Sequence, residues 1–77
     1  MENEEVFEII VNWLSEHKVF VPRSSIENLK LKEIEEIDSL ILISLILEIE
    51  ILKSRKFNLE NILEINNYTL QELIQSL

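Results

Sequence analysis

IDSLILISLILEIEILK, residues 37–53, sets one aspartate, two serines, two glutamates and a lysine among eleven leucines and isoleucines. A run this apolar is either a membrane span or a helix of a protein core. From Leu40 to Leu52 it is broken by Ser44, Glu48 and Glu50, and it falls short of the ~20 apolar residues that cross a bilayer. It therefore reads as a core helix. Asp38 is placed to accept from the free amides of the first turn, which makes it the N-cap and puts Ser39 at the first helical position. The helix is expected to run to about Arg55, with Lys53, Arg55 and Lys56 at the carboxyl end, where cations complement the macrodipole. Leu42, Leu45, Ile46, Ile49 and Leu52 form one stripe at helical spacing. Leu40, Ile43, Leu47 and Ile51 widen it well beyond the ~100° of an ordinary surface helix. A central position, contacted by every other helix, would account for most of this surface; the remainder must meet solvent or a partner. Ile41 is the hardest to hide, being next to the helix start.

Outward from this helix, the 3.6-residue period dominates the chain. From about Glu4 to His17, Val6, Phe7, Ile10, Val11, Trp13 and Leu14 recur at three- and four-residue intervals, with acids at the amino end. His17 suits the carboxyl end of that helix as a cation. Val19 to Val21 has strand-like composition, but Pro22 ends it, and Ser24, Ser25 and Glu27 supply turn and capping chemistry. Residues 18–37 read as a long ordered loop, with a short helical turn near 25–29. Phe20, Ile26, Leu29, Leu31, Ile34 and Ile37 are its anchors on the core. Asn58 is a cap for a short third helix using Leu59, Ile62 and Leu63. Thr69 and Glu72 have capping-box spacing and open a last helix that buries Leu70, Leu73, Ile74 and Leu77. The expected architecture is all-α: a small four-helix bundle in a single domain, residues 1–77, with a long first connection and a short third helix.

Composition excludes several classes of function. A chain of 77 residues buries only a little over ~60% of its unfolded surface, which leaves no room for a cleft between domains. It has no cysteine, hence no disulfide framework and no thiolate metal site. It has no glycine either, and phosphate-cradling loops need glycine for close backbone approach. One histidine, His17, leaves little for acid–base or metal chemistry. A net charge of −8 argues against nucleic acid and favours basic protein partners. Met1 is followed by Glu2, Asn3, Glu4 and Glu5, the opposite of a basic export signal. The expectation is a cytoplasmic protein with no membrane span and no metal, and not an enzyme.

An acidic four-helix pattern of this size, with Asp38-Ser39-Leu40 opening the second helix after a long loop and Thr69-Leu70 opening the last, resembles the acyl carrier proteins. The similarity covers nearly the whole chain. It implies that Ser39 receives phosphopantetheine from coenzyme A, and that the thiol of the arm holds an acyl or aminoacyl group as a thioester. It also implies a phosphopantetheinyl transferase that reads Asp38 and Leu40, and loading and processing enzymes that read the exposed face of the second helix. No base stands beside Ser39 in sequence, so the transferase must supply base and metal. The pattern departs from carriers of fatty-acid synthesis: Glu36 stands where a glycine is common, Ile41 where an acidic or polar residue is usual, and the proline before the third helix is missing. The Ser39-to-Thr69 distance looks nearer to D-alanyl carriers and stand-alone carriers of specialised pathways. Leu40, Ile41 and Leu47 are then the expected apolar docking residues. The competing reading is a non-enzymatic helical interaction domain in which Ser39 is only a helix-start residue. Size separates the two, because a carrier is expected to be monomeric and an interaction domain with an uncovered helix to self-associate.

Overall fold

Side chains at a few positions fix where the helices start and stop. The computed structural model describes residues 2–57 and 62–76; its elements are α1 (Asn3–Glu16), α2 (Arg23–Asn28), a 3-10 turn (Leu31–Glu33), α3 (Ser39–Lys53), α4 (Ile62–Ile65) and α5 (Leu70–Gln75). The only β pairing among the described residues is one antiparallel bridge, Lys30 with Thr69. The chain is all-α, and α3 is the second helix expected from the sequence.

α1 begins with Glu4 and Glu5 in its first turn, where negative charge meets the free amides. It ends in a Schellman arrangement: Lys18 N–H donates to Ser15 O (3.0 Å) and Val19 N–H to Leu14 O (2.8 Å). That geometry needs a left-handed residue, and Lys18 supplies it at φ 63°. His17 donates from Nδ1 to Trp13 O at 2.9 Å and stacks on the Trp13 ring at 4.0 Å.

The segment expected as a loop holds two helical pieces. Pro22 presets φ at −56° and precedes α2, and its carbonyl receives Ser25 N–H and Ile26 N–H. Neither Ser24 nor Ser25 caps the helix with its hydroxyl, contrary to the expectation from sequence, because the helix starts one or two residues ahead of them. Ile26, Leu31 and Ile34 are buried as expected, and Leu29 and Ile37 are half-buried. Phe20 is the exception, 74% exposed. Its neighbours Val19, buried, and Val21, half-buried, turn inward, and the side chain between them points outward.

α3 stops at Lys53 rather than Arg55. Ser54 turns left-handed at φ 53°, and its N–H bonds back to Glu50 O and Ile51 O. The Thr69–Glu72 capping box of α5 is formed: Thr69 N–H donates to Glu72 Oε1 (3.0 Å) and Glu72 N–H to Thr69 Oγ1 (3.2 Å). Leu31 N–H donates to Tyr68 O and Lys32 N–H to Asn66 O, tying the 3-10 turn to the connection before α5. Asn58, Leu59 and Leu77 lie outside the described residues.

α1 packs on both α3 and α5, and α2 packs on α5. Val6, Ile10 and Leu14 of α1 meet Leu42, Leu45, Ile46 and Ile49 of α3 and Leu70, Leu73 and Ile74 of α5 in one core. Each such side chain contributes about 1.5–3 kcal/mol by leaving water, and no polar or charged residue is buried among the described residues. α3 is not surrounded as a central helix would be; one of its faces is open. No helix among the described residues is long and apolar enough to cross a membrane.

Candidate functional site

The start of α3 is built by Asp38. Its carboxylate Oδ1 accepts from Ile41 N–H and its carbonyl from Leu42 N–H, both at 2.9 Å. Of the amides that an α-helix leaves unpaired at its start, that of Ile41 is thereby satisfied. Those of Ser39 and Leu40 precede the first intrahelical acceptor. Ser39 is exposed, so its hydroxyl stands in solvent at the positive end of a 15-residue helix. A phosphoryl group esterified to that oxygen would sit where a helix favours an anion. Asp38 is committed to the cap and exposed. Glu35 and Glu36 are exposed just upstream, making the entrance acidic.

Beside Ser39 an apolar stripe begins. Leu40 is 77% exposed, Ile43 43%, Leu47 49% and Ile51 71%. At 100° per residue these four lie within roughly 80° of arc, opposite the buried Leu42, Leu45, Ile46 and Ile49. α3 is thus apolar on two opposed faces, one packed and one open. Ile41 is half-buried and packs against the core; Leu40 takes the outward position expected of it. Of the apolar docking residues named from sequence, Leu40 and Leu47 share the open face and Ile41 lies at its margin.

The stripe ends in an open cleft of about 450 Å³ lined by Leu47, Glu50, Ile51, Ser54, Arg55 and Lys56. The Glu50 carboxylate faces inward to accept Phe57 N–H at 2.7 Å. Lys53 Nζ donates to Ile74 O at 2.5 Å, joining α3 to α5, and loss of water there, with Arg55 nearby, holds its ammonium below the usual lysine range. So Lys53 serves packing as well as the dipole, while Arg55 and Lys56 are exposed at the rim. From sequence, Ile43 and Ile51 count only as surplus apolar surface and Arg55 and Lys56 only as dipole partners. The i, i+3, i+7, i+11 spacing of the stripe is the signal that groups them.

Away from α3, Arg23 bonds both carboxylate oxygens of Glu8 and reaches Glu27 at 2.9 Å, with its guanidinium 5.4 Å above the Phe7 ring. This exposed cluster clips α2 to α1. Hydrogen bonding to Arg23, aided by its charge, holds the Glu8 carboxyl below the usual carboxylate range. Among the described residues no three His, Asp or Glu side chains gather as a metal site. No family model, curated protein or solved structure matches the chain, so the functional reading rests on the start of α3, its open stripe and the pattern of the sequence.

Proposed function

We propose that the chain is a carrier protein of the acyl-carrier type, with Ser39 as the attachment point of a phosphopantetheine arm. The observation that carries this reading is the exposed serine at the first position of a long, well-capped helix, the place its resemblance to the carriers requires. When bound, the arm supplies a thiol that holds an acyl or aminoacyl group as a thioester. The residues at hand fit it: Ser39 is exposed and so accessible to a transferase, and a phosphodiester on its oxygen would lie at the amino terminus of α3, where a helix favours an anion. During attachment the Ser39 oxygen would form its bond to the phosphorus of the pantetheine arm as the bridging P–O bond of the coenzyme A diphosphate breaks, adenosine 3′,5′-bisphosphate leaves, and the serine proton passes to a base of the transferase. Asp38 keeps the helix start rigid, fixing where the arm leaves the domain. Leu40 and Leu47 offer apolar contacts to the transferase and the loading enzymes. On this reading the chain catalyses nothing itself and engages its enzymes as a monomer.

A second reading, a helical interaction domain, is favoured by the open stripe of α3 alone. Intact mass after incubation with coenzyme A and a broad-specificity phosphopantetheinyl transferase separates the two. The carrier reading expects a gain of one phosphopantetheine, absent from Ser39→Ala. No gain in folded protein would return Ser39 to the role of a helix-start residue.

A further inference from the structure

The carboxyl end of α3 is out of keeping with the rest of the molecule. Three of the chain's seven cations fall within residues 53–56, on a chain of net charge −8. Lys53 is turned inward onto Ile74 O. Arg55 and Lys56 are exposed, and neither makes an ion pair or a side-chain hydrogen bond with another described residue. Both line the cleft together with Leu47 and Ile51, so the basic end lies on the side of the open stripe. The Glu50 carboxylate, also in the lining, is engaged by Phe57 N–H.

A stripe of aliphatic side chains that ends in cations is complementary to an apolar segment that ends in carboxylates. We propose that α3 seats a helix of a partner enzyme, whose aliphatic side chains cover Leu40, Ile43, Leu47 and Ile51 and whose terminal acidic side chains meet Arg55 and Lys56. Charge summed over the whole chain favours basic partners; at this end the local charge asks for the reverse. The stripe is about 17 Å long at 1.5 Å per residue, or about three helical turns, and the side chains of a second helix fit between its rows. That the partner loads or unloads the arm rests on the carrier reading. The apolar, acid-ended chemistry of its docking helix does not.

A second copy of the chain does not supply this chemistry. Its own stripe ends in the same two cations, its Asp38 carboxylate is held by Ile41 N–H, and two bodies of charge −8 repel each other. An anionic bilayer suits Arg55 and Lys56 but repels the many remaining acids. Four partly exposed aliphatic side chains bury well under the ~800 Å² per partner of a stable interface. Docking is therefore brief, as a carrier passed between enzymes requires. Ser39 lies roughly 85° around the helix from the stripe's centre, which leaves the arm free while the stripe is covered.

Two synthetic helical peptides test the proposal, both with leucines at the spacing of the stripe, one ending in a pair of glutamates and the other in a pair of lysines. Each is titrated into the isotope-labelled full chain at low salt, and the backbone amide shifts are followed by NMR. The expected result is that the acid-ended peptide shifts the amides of Leu40, Leu47, Ile51, Arg55 and Lys56 and binds about threefold or more tightly than its basic twin, against the net charge of the chain. Arg55→Glu/Lys56→Glu reverses that order, and Leu47→Glu weakens both peptides by about tenfold or more. All three positions are exposed, and circular dichroism checks that the variants are folded. Ser39→Ala keeps the preference for the acid-ended peptide while losing the gain of phosphopantetheine read by mass, so the docking proposal and the carrier reading fail separately. Equal or tighter binding of the basic peptide, shifts confined to other faces, or no binding of either peptide overturns the proposal. Stripe amides that shift with the chain's own concentration assign the face to a second copy, and stripe amides that broaden with phosphatidylglycerol vesicles but ignore both peptides assign it to a membrane. Either result overturns the proposal as well.

Discussion

Among the described residues of this glycine-free chain, two hold conformations that glycine normally takes. Lys18 and Ser54 have positive φ at the ends of α1 and α3, where a side chain crowds the backbone and costs roughly 1–2 kcal/mol. Lys18 is exposed, and the hydrogen bonds it anchors come from the backbone. Lys18→Gly is therefore expected to raise stability by about 0.5–1 kcal/mol, as a higher urea midpoint at unchanged slope. Asp38 acts in the opposite sense: Asp38→Ala removes the acceptor of Ile41 N–H and is expected to lower stability by about 1 kcal/mol, while Asp38→Asn keeps most of it. An unchanged urea midpoint in Asp38→Ala would mean that the bond to Ile41 contributes nothing. Caps of this kind are legible in sequence because acceptor and donor stand three residues apart, and the Thr69–Glu72 box is legible for the same reason. The clip from Arg23 to Glu8 is not, since fifteen residues separate the partners and only the packing of α2 beside α1 brings them together. Phe20 escapes a reading from sequence in a related way: its apolar character says bury, and the inward turn of its neighbours, buried Val19 and half-buried Val21, overrules it.

At the scale of the element, α3 carries two apolar stripes of nearly the same composition, and the fold treats them differently. Ile49 is wholly buried against the core and Ile51, two residues on, is largely exposed. Ile49→Ala is expected to cost about 2–5 kcal/mol through lost burial and the cavity left behind. Ile51→Ala is expected to change stability by no more than about 0.5 kcal/mol, and equal losses at the two positions by urea unfolding would show that the open face is covered within the monomer. Periodicity makes both stripes visible and shows that one helix cannot bury everything it offers. It does not say which stripe lies inside, because that is decided by where α1 docks, a contact between segments some forty residues apart. The same limit applies to the site. Local capping chemistry is enough to put Asp38 and Ser39 at the helix start. For Ile41 it is not enough: nearness to the helix start points outward, and the 100° step from Leu40 turns the side chain toward the core instead.

At the scale of the whole molecule, fifteen acidic side chains against seven basic ones make the fold work against its own charge. Glu8 is an exception, because Arg23 stabilises its charged form and in doing so joins α2 to α1. Its folded-state pKa lies below the unfolded value, so the unfolded chain binds the proton more readily. The contribution of Glu8 is therefore fully present above the unfolded carboxylate pKa, about 4.3, and is lost as pH falls through the lower folded value. Thermal unfolding of the wild type and Glu8→Gln between pH 7 and pH 2 measures this. The variant should melt lower at pH 6 to 7, and the gap should close as the solution is acidified below pH 4. Since the pair is solvent-exposed, molar salt should also narrow the gap at neutral pH. The same salt screens repulsion among the remaining acids, so the wild type itself is expected to melt higher in salt even as this one ion pair weakens. A gap that persists unchanged to pH 2 would show that the amide of the variant fails for reasons of shape, and that the charge of Glu8 does not hold α2 in place.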